Sequence, residues 1–394
     1  MTIKDLLSNT LTDSLFLTVH VIQSYPCNVL NRDDTGSPKS CTFGGVRRSR
    51  VSSQCVKRSS RMEFYKMLPE EEMGIRTKEL PKLVSEELAA QGHGDIFDIF
   101  DADHALEAAG MKLSDKTKKP TLKSIYFASA QQCRAFATAM VEIGSKRKPS
   151  KKDKDEVSFE EYSKEEVAKL EQAIMEHPSL DLMFFGRMNA GRPTQNYEAC
   201  MQFGHEISTH AIVEEFDYFT AVDDAKKTDE GETGSAHLDI SGYTSSTMYR
   251  YCGIDLAALY KGLKNEERAE DLGLLVSAWI KAFALSVPTG KQNAFAAHTT
   301  PAYIYVSINK EAPISFANAF EVPVTSDHGG YEIPSIHAFE SRVKAVEENG
   351  WHEAPMAEFV TSDFDAELGV KLSFPQLLSK VQEAVDQAAN EVLK

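Results

Sequence analysis

The sequence predicts an α+β fold in which one strand-bearing domain is interrupted by a helical insertion. Strand-like text occurs near both ends of the chain, at residues 15–21 and 302–308, whereas residues from about 68 to 185 read as charged helical segments. With 394 residues, 42% of them hydrophobic, the chain can build one large core or two ordinary ones without covalent staples.

Leu15, Leu17, Val19 and Val21 alternate with Phe16, Thr18 and His20, a period of two that predicts a half-buried strand. Residues 26–40 combine Asn, Asp, Gly and Pro and read as an extended functional loop. An apolar-basic strand follows at 42–51. Ser52 and Ser53 suit helix N-caps, and residues 54–67 contain neither Gly nor Pro, which predicts a helix with Lys57 and Arg61 on one face. Next, KELPKLVSEELAAQG and SKEEVAKLEQAIMEH read as helices. The lysine-rich SKRKPSKKDKDE between them cannot bury itself and is expected to be a disordered crossing. Strand text returns in TMYRY (247–251) and AYIYVSI (302–308), with helices near 254–284 and 335–347. There is no repeat at solenoid periods.

Six cysteines, at 27, 41, 55, 133, 200 and 252, form no C-x-x-C pair, so a reducing, cytoplasmic setting is expected, with neither zinc knuckle nor disulfide framework. No apolar run has signal-peptide or membrane-span length, which predicts a soluble protein that is not exported and has no membrane partner. The net charge of -16 argues, on its own, against nucleic acid.

Its distribution argues the other way. GGVRRSRVSSQCVKRSSR, residues 44–61, holds Arg47, Arg48, Arg50, Lys57, Arg58 and Arg61 and no acid. Glycines admit a close backbone, arginines fork onto phosphate oxygens, and a serine-capped helix start offers N–H groups at a positive dipole end. Together these predict a cradle for a phosphate backbone, although a solvated basic face is the ordinary reading of a charge run. Rings in Asp217-Tyr218-Phe219-Thr220 could wedge against a nucleobase or simply pack in a strand.

Enzyme motifs are missing. His205 and His210 in HEISTH are five residues apart rather than four, so a zinc-binding helix is not expected. Thr289-Gly290-Lys291 has Leu285 and Gln292 where a phosphate loop needs Gly and Ser or Thr. No G-x-S-x-G occurs, and no catalytic residue, metal or cofactor is assigned. Asp33 and Asp34 leave open metal-assisted or acid–base phosphodiester cleavage, although such a pair more often shapes a turn.

Ordered blocks across most of the chain carry a resemblance. L-N-R-D-D at 30–34, F-G-G-x-R-R-x-R-V-S-S-Q at 43–54, K-R at 57–58, G-R-M at 186–188, F-T-A-V-D-D at 219–224, G-S-A-H-L at 234–238, Y-R-Y at 249–251, V-P-x-G-K-Q at 287–292 and A-N-A-F-E at 317–321 resemble the CasC family. These are the backbone subunits of the type I-E CRISPR Cascade surveillance complex. The resemblance implies an RRM-like (ferredoxin-like) palm from 14–66 and 186–394, helical fingers at 67–185, a thumb β-hairpin near 211–242 and an N-terminal extension at 1–13. It implies that copies stack head to tail along a guide crRNA, each thumb turning one base aside while the others pair with target DNA, and that other Cascade subunits complete the complex. Cleavage would belong to another protein.

By motif position, Arg32, Asp34, Ser52, Gln54, Lys57, Arg58 and Arg61 resemble guide-contacting palm residues. Met188, Tyr218 and Phe219 resemble those near the displaced base and thumb, and Gly290, Lys291 and Gln292 form a loop that would approach the same RNA. Departures are the longer N-terminus, the weakly matching fingers and the lysine-rich crossing. No K/R-G-F/Y-G/A-F-V-x-F/Y stretch is present, so RNA is expected to be held by backbone and shape. The alternatives are an RNA-cleaving type III-like subunit using Asp33 or Asp34, and a stand-alone RNA-binding protein.

Overall fold

A computed structural model of the chain describes residues 14–93, 102–114, 121–145, 161–189, 191–221, 237–326 and 328–393. The expected extension at 1–13, the lysine-rich crossing near 146–154 and residues 222–236 of the expected thumb hairpin lie outside the described residues. The chain forms two compact units. One runs up to Met67 and resumes at Met201, and the other, Leu68–Cys200, is inserted in its sequence. Residues 186–200 thus fall with the insertion.

The first unit opens with β1 (Phe16–Asn28), the hairpin of β2 (Ser40–Phe43) and β3 (Val46–Val51), and helix α1 (Ser53–Tyr65). The insertion contributes β4 (Gly74–Thr77), α2 (Leu80–Leu88), α3 (Ala102–Ala108), β5 (Tyr126–Ser129), α4 (Ala130–Gly144), α5 (Lys164–Ala173) and α6 (Leu180–Phe185). The first unit then resumes with β6 (Met201–Phe203), β7 (Glu206–Ser208), β8 (Glu215–Ala221), β9 (His237–Asp255), α7 (Leu256–Asn265) and α8 (Leu272–Leu285). It ends with α9 (Gln292–Phe295), β10 (Tyr303–Asn309), α10 (Glu332–Glu348), β11 (Ala357–Ser362), β12 (Val370–Lys371) and α11 (Phe374–Val392).

The large sheet runs β12-β11-β10-β1-β9-β7-β3-β2, with β6 and β8 also pairing β9. It is mixed, because β11 and β12 are parallel while β1 pairs antiparallel with both β9 and β10. This central position corrects the half-buried reading of β1. Leu17, Val19 and Val21 are buried on one face, and Thr18, His20 and Ile22 are buried on the other. Period-two alternation marks two faces, and here helices cover both. On the α8 side, Phe64 and Phe203 meet Trp279 edge-on, with centroids 5.5 and 5.8 Å away. On the α10 side, Phe339 packs with Tyr303, Tyr305 and Phe316.

His20 sits inside this aromatic cluster, hydrogen-bonded to Tyr249 Oη at 2.8 Å and Thr18 Oγ1 at 3.0 Å. Burial lowers its pKa to about 3. Between about 6.5 and 3 the unfolded imidazole takes up a proton that the folded one refuses, so stability falls as pH drops through that window. The loss approaches about 4–5 kcal/mol near pH 3. His20→Phe keeps the ring packing, leaves Thr18 bonded to Ser307 and leaves Tyr249 Oη with the Phe316 N–H. Its denaturation midpoint, measured against pH beside the parent, is expected to lose that part of the slope; an unchanged difference across the window would contradict the assignment.

The inserted unit is mainly helical, with β4 and β5 paired as a two-stranded sheet. Its own core gathers Leu80, Val84, Leu106, Phe136, Met140, Leu170 and Ile174. In the G-R-M block, Arg187 is a core residue, donating to Gln195 O and Phe127 O and lying 4.5 Å over the Tyr126 ring.

Candidate nucleic-acid interface

Helix α1 is amphipathic in a narrow sense. Val56, Ser60 and Phe64, spaced by four, form its buried stripe. Ser60 Oγ meets Ser286 Oγ at 2.8 Å just past α8, and the two small side chains let the helix sit close. The spacing leaves Gln54 and Arg58 exposed, with Lys57 and Arg61 half-buried at the flanks. Lys57 Nζ lies 5.2 Å over the Phe203 ring and the Arg61 guanidinium 5.6 Å over Tyr65, so an aromatic face supports each cation.

The helix start is fixed from several elements. Ser52 is the N-cap, its Oγ accepting from Cys55 N–H at 3.4 Å, and the first turn carries no acid. The Ser52 N–H donates to Asn31 Oδ1 at 3.0 Å, and the Ser53 N–H donates to His205 Nδ1 at 3.1 Å. Beneath this turn, Glu206 is buried opposite Val51, with Arg250 Nε 4.0 Å from Glu206 Oε1. Burial pushes the Glu206 carboxyl up to about 7 against the pull of Arg250.

The loop before β2 is a built turn. Asp33 Oδ1 accepts from Thr35 N–H at 3.0 Å, Thr35 Oγ1 at 2.7 Å and Ser37 N–H at 3.0 Å. These bonds, the Thr35 hydroxyl foremost, hold its carboxyl below the usual range. Arg32 and Asp34 are exposed on the same loop. The 288–292 loop lies against its start: a Cβ at Gly290 would come within 2.4 Å of Leu30 O and 2.5 Å of Val29 O, so only glycine fits. Lys291 Nζ donates to Ser241 Oγ on β9, and Gln292 Nε2 closes its own loop on Pro288 O at 2.9 Å. The structure therefore brings Arg32, Asp34, Ser52, Gln54, Lys57, Arg58 and Arg61 near one loop–helix junction, with Lys291 and Gln292 engaged in holding the adjoining loop.

Two arginines of the predicted cradle require correction. Arg48 is 0% exposed, and its guanidinium donates to Phe43 O at 3.1 Å, Ser208 O at 3.0 Å and Phe320 O at 2.7 Å. Every second residue of a strand points to the opposite face, so Arg48 turns inward while Arg47 turns outward. It is not available to RNA. Arg47 is exposed but opposed by Glu214, 2.8 Å from its Nη2, so the acid-free stretch meets an acid from elsewhere in the chain. Arg50 is half-buried, its Nε 3.4 Å from Ser40 O.

In the region expected to form the thumb, β8 pairs antiparallel with β9, Tyr218 opposite Ile240. Tyr218 and Phe219 are 62% and 42% exposed and, as neighbours on one strand, project to opposite faces. Met188 is 83% exposed but belongs to the inserted unit.

Asn31, Phe203 and His205 escaped sequence reasoning as site residues. HEISTH drew attention for zinc, yet its histidines part company: His205 binds the Ser53 amide, whereas His210 stacks on Tyr331 at 3.7 Å and accepts from Thr247 N–H.

No curated protein matches the chain. Among solved structures, a chain of a "CRISPR RNA-guided surveillance complex, pre-nicking" is 26% identical, with 94% of this chain and 100% of that chain covered at a TM-score of 0.76. A chain of a "CRISPR RNA-guided surveillance complex" is 24% identical, with 94% and 99% covered at a TM-score of 0.58, a likeness of fold alone. The family model for CT1975-like protein matches residues 17–384, nearly the whole length, and the chain belongs to the CT1975-like protein family.

Proposed function

We propose that this chain is an RNA-holding subunit of a CRISPR RNA-guided surveillance complex, gripping a guide crRNA by its phosphate backbone. One observation carries the reading: in a chain of net charge -16, Lys57, Arg58 and Arg61 line a helix whose first turn has no acid and whose start adjoins exposed Arg32 and Gln54. The likeness to a surveillance-complex chain across 94% of this sequence supports it. On this reading the sheet-bearing unit is an RRM-like palm, the insertion forms the fingers and the β8–β9 hairpin forms the thumb. Copies stack head to tail as the repeating backbone of a type I-E assembly in the cytoplasm, and other subunits complete it. The guide's free bases pair with target DNA.

The subunit is proposed to bind without cutting. Asp33 spends one carboxylate oxygen on three turn hydrogen bonds and is held acidic, which makes it a poor general base. Incubated with end-labelled unstructured RNA and magnesium or manganese, the chain is expected to retard the RNA, more weakly as salt rises, and to leave it intact, as is Asp33→Asn. Cleavage that disappears in Asp33→Asn or Asp34→Asn would instead favour an RNA-cutting backbone subunit.

A further inference from the structure

We propose that His205 is an additional nucleic-acid contact of the α1 cradle, donating a hydrogen bond from Nε2 to an RNA phosphate oxygen; this deepens, and rests on, the RNA-holding reading. A backbone amide fixes the tautomer of this ring. The Ser53 backbone N–H reaches His205 Nδ1 at 3.1 Å, and an amide N–H can only donate. Nδ1 therefore carries the lone pair, and the neutral ring bears its proton on Nε2. The side chain is exposed, and among the described residues no protein acceptor takes that proton.

The ring is held in place as well as in tautomer. The preceding Gly204 N–H donates to Tyr251 O at 3.1 Å, and the following Glu206 is buried in register with Val51. Two residues earlier, Phe203 lies under the Lys57 ammonium at 5.2 Å. One short segment thus supports a cradle cation and presents a neutral donor beside Ser53 and Gln54. A phosphodiester oxygen only accepts, so a fixed N–H next to a lysine suits the same backbone that Lys57 would attract. Because the donor is neutral, it adds affinity without displacing a counterion.

Two substitutions separate a contact from a structural cap. In His205→Asn the side-chain oxygen stands where Nδ1 stood and still accepts from Ser53, while the amide nitrogen takes the Cδ2 place, a bond short of the lost Nε2 donor and aimed elsewhere. His205→Ala loses both. Binding of the full chain to a fluorescently labelled, unstructured single-stranded RNA, read by anisotropy across a salt series, is expected to weaken by about tenfold in both variants. The slope of affinity against salt should stay unchanged. Lys57→Ala, run alongside, is expected to weaken binding and to flatten that slope. Parental affinity in His205→Asn, whether or not His205→Ala is weakened, would reduce His205 to a cap and overturn the proposal. If Lys57→Ala also binds like the parent, the RNA-holding reading itself falls.

Discussion

Replacing Lys57 and Arg58 together with alanine is expected to weaken binding of unstructured RNA by at least about a hundredfold while the fold survives. Each removes one hydrogen-bonding cation, and a bond to a charged group contributes about 1.5–3 kcal/mol. Neither is a core residue: Arg58 is exposed, and Lys57 rests its ammonium over Phe203 at the surface of α1. The stability change is therefore expected to stay within about 1 kcal/mol. The salt dependence distinguishes a phosphate contact from a packing effect. Two lost phosphate neutralisations should flatten the logarithmic slope by about 1.4, at roughly 0.7 per phosphate for a single strand. An unchanged slope with weaker binding would mean that the two residues act on RNA only through α1, and a lowered melting point with unchanged affinity would make them structural.

Arg48→Ala is expected to do the reverse. Its guanidinium bonds the carbonyls of Phe43, Ser208 and Phe320, joining the β2–β3 hairpin to β7 and to the segment after β10. The backbone meets closely there: a Cβ at Gly44, whose φ is +60°, would fall 1.7 Å from Glu321 O. Removing the side chain takes a donor from the buried Ser208 and Phe320 carbonyls, each loss costing about 1–3 kcal/mol, and opens a cavity. A loss of about 4 kcal/mol in unfolding free energy, read from the shift of the denaturant midpoint, is expected, with the RNA affinity and salt slope of the molecules that remain folded unchanged. Arg48→Lys should recover only part, because an ammonium cannot fork to three separated carbonyls. A variant that unfolds like the parent but releases RNA would return Arg48 to the cradle.

These two arginine outcomes mark the limit of what charge in a sequence conveys. Arg47, Arg48 and Arg50 read as equals in VRRSRV, and only the strand's alternation, combined with what covers each face, separates an exposed ion pair from a buried clamp. The helix after Ser52 was legible because its cap, its missing glycines and its four-residue spacing are local signals. The insertion was legible as a change of composition, although its boundary was not, since residues 186–200 pack with it through contacts such as Arg187 with Phe127 O and Gln195 with Ala109 O. Strand β1 showed its periodicity but not its burial, which depends on α8 and α10 far along the chain. Helix α11 and strands β11 and β12 went unread; β12 is only two residues long, and short edge strands carry little signal of their own. His205, Asn31 and Phe203 were hidden for a similar reason: each serves α1 from another element, and nothing within α1 names its supports.

The most direct test of the central claim is to purify the chain from cells that also express a CRISPR array and its neighbouring genes, then to size the particle and sequence the RNA that comes with it. A large assembly containing several copies of the chain and guide RNA of uniform length is expected. A monomer without RNA, or carrying RNA of mixed length and sequence, would contradict that claim.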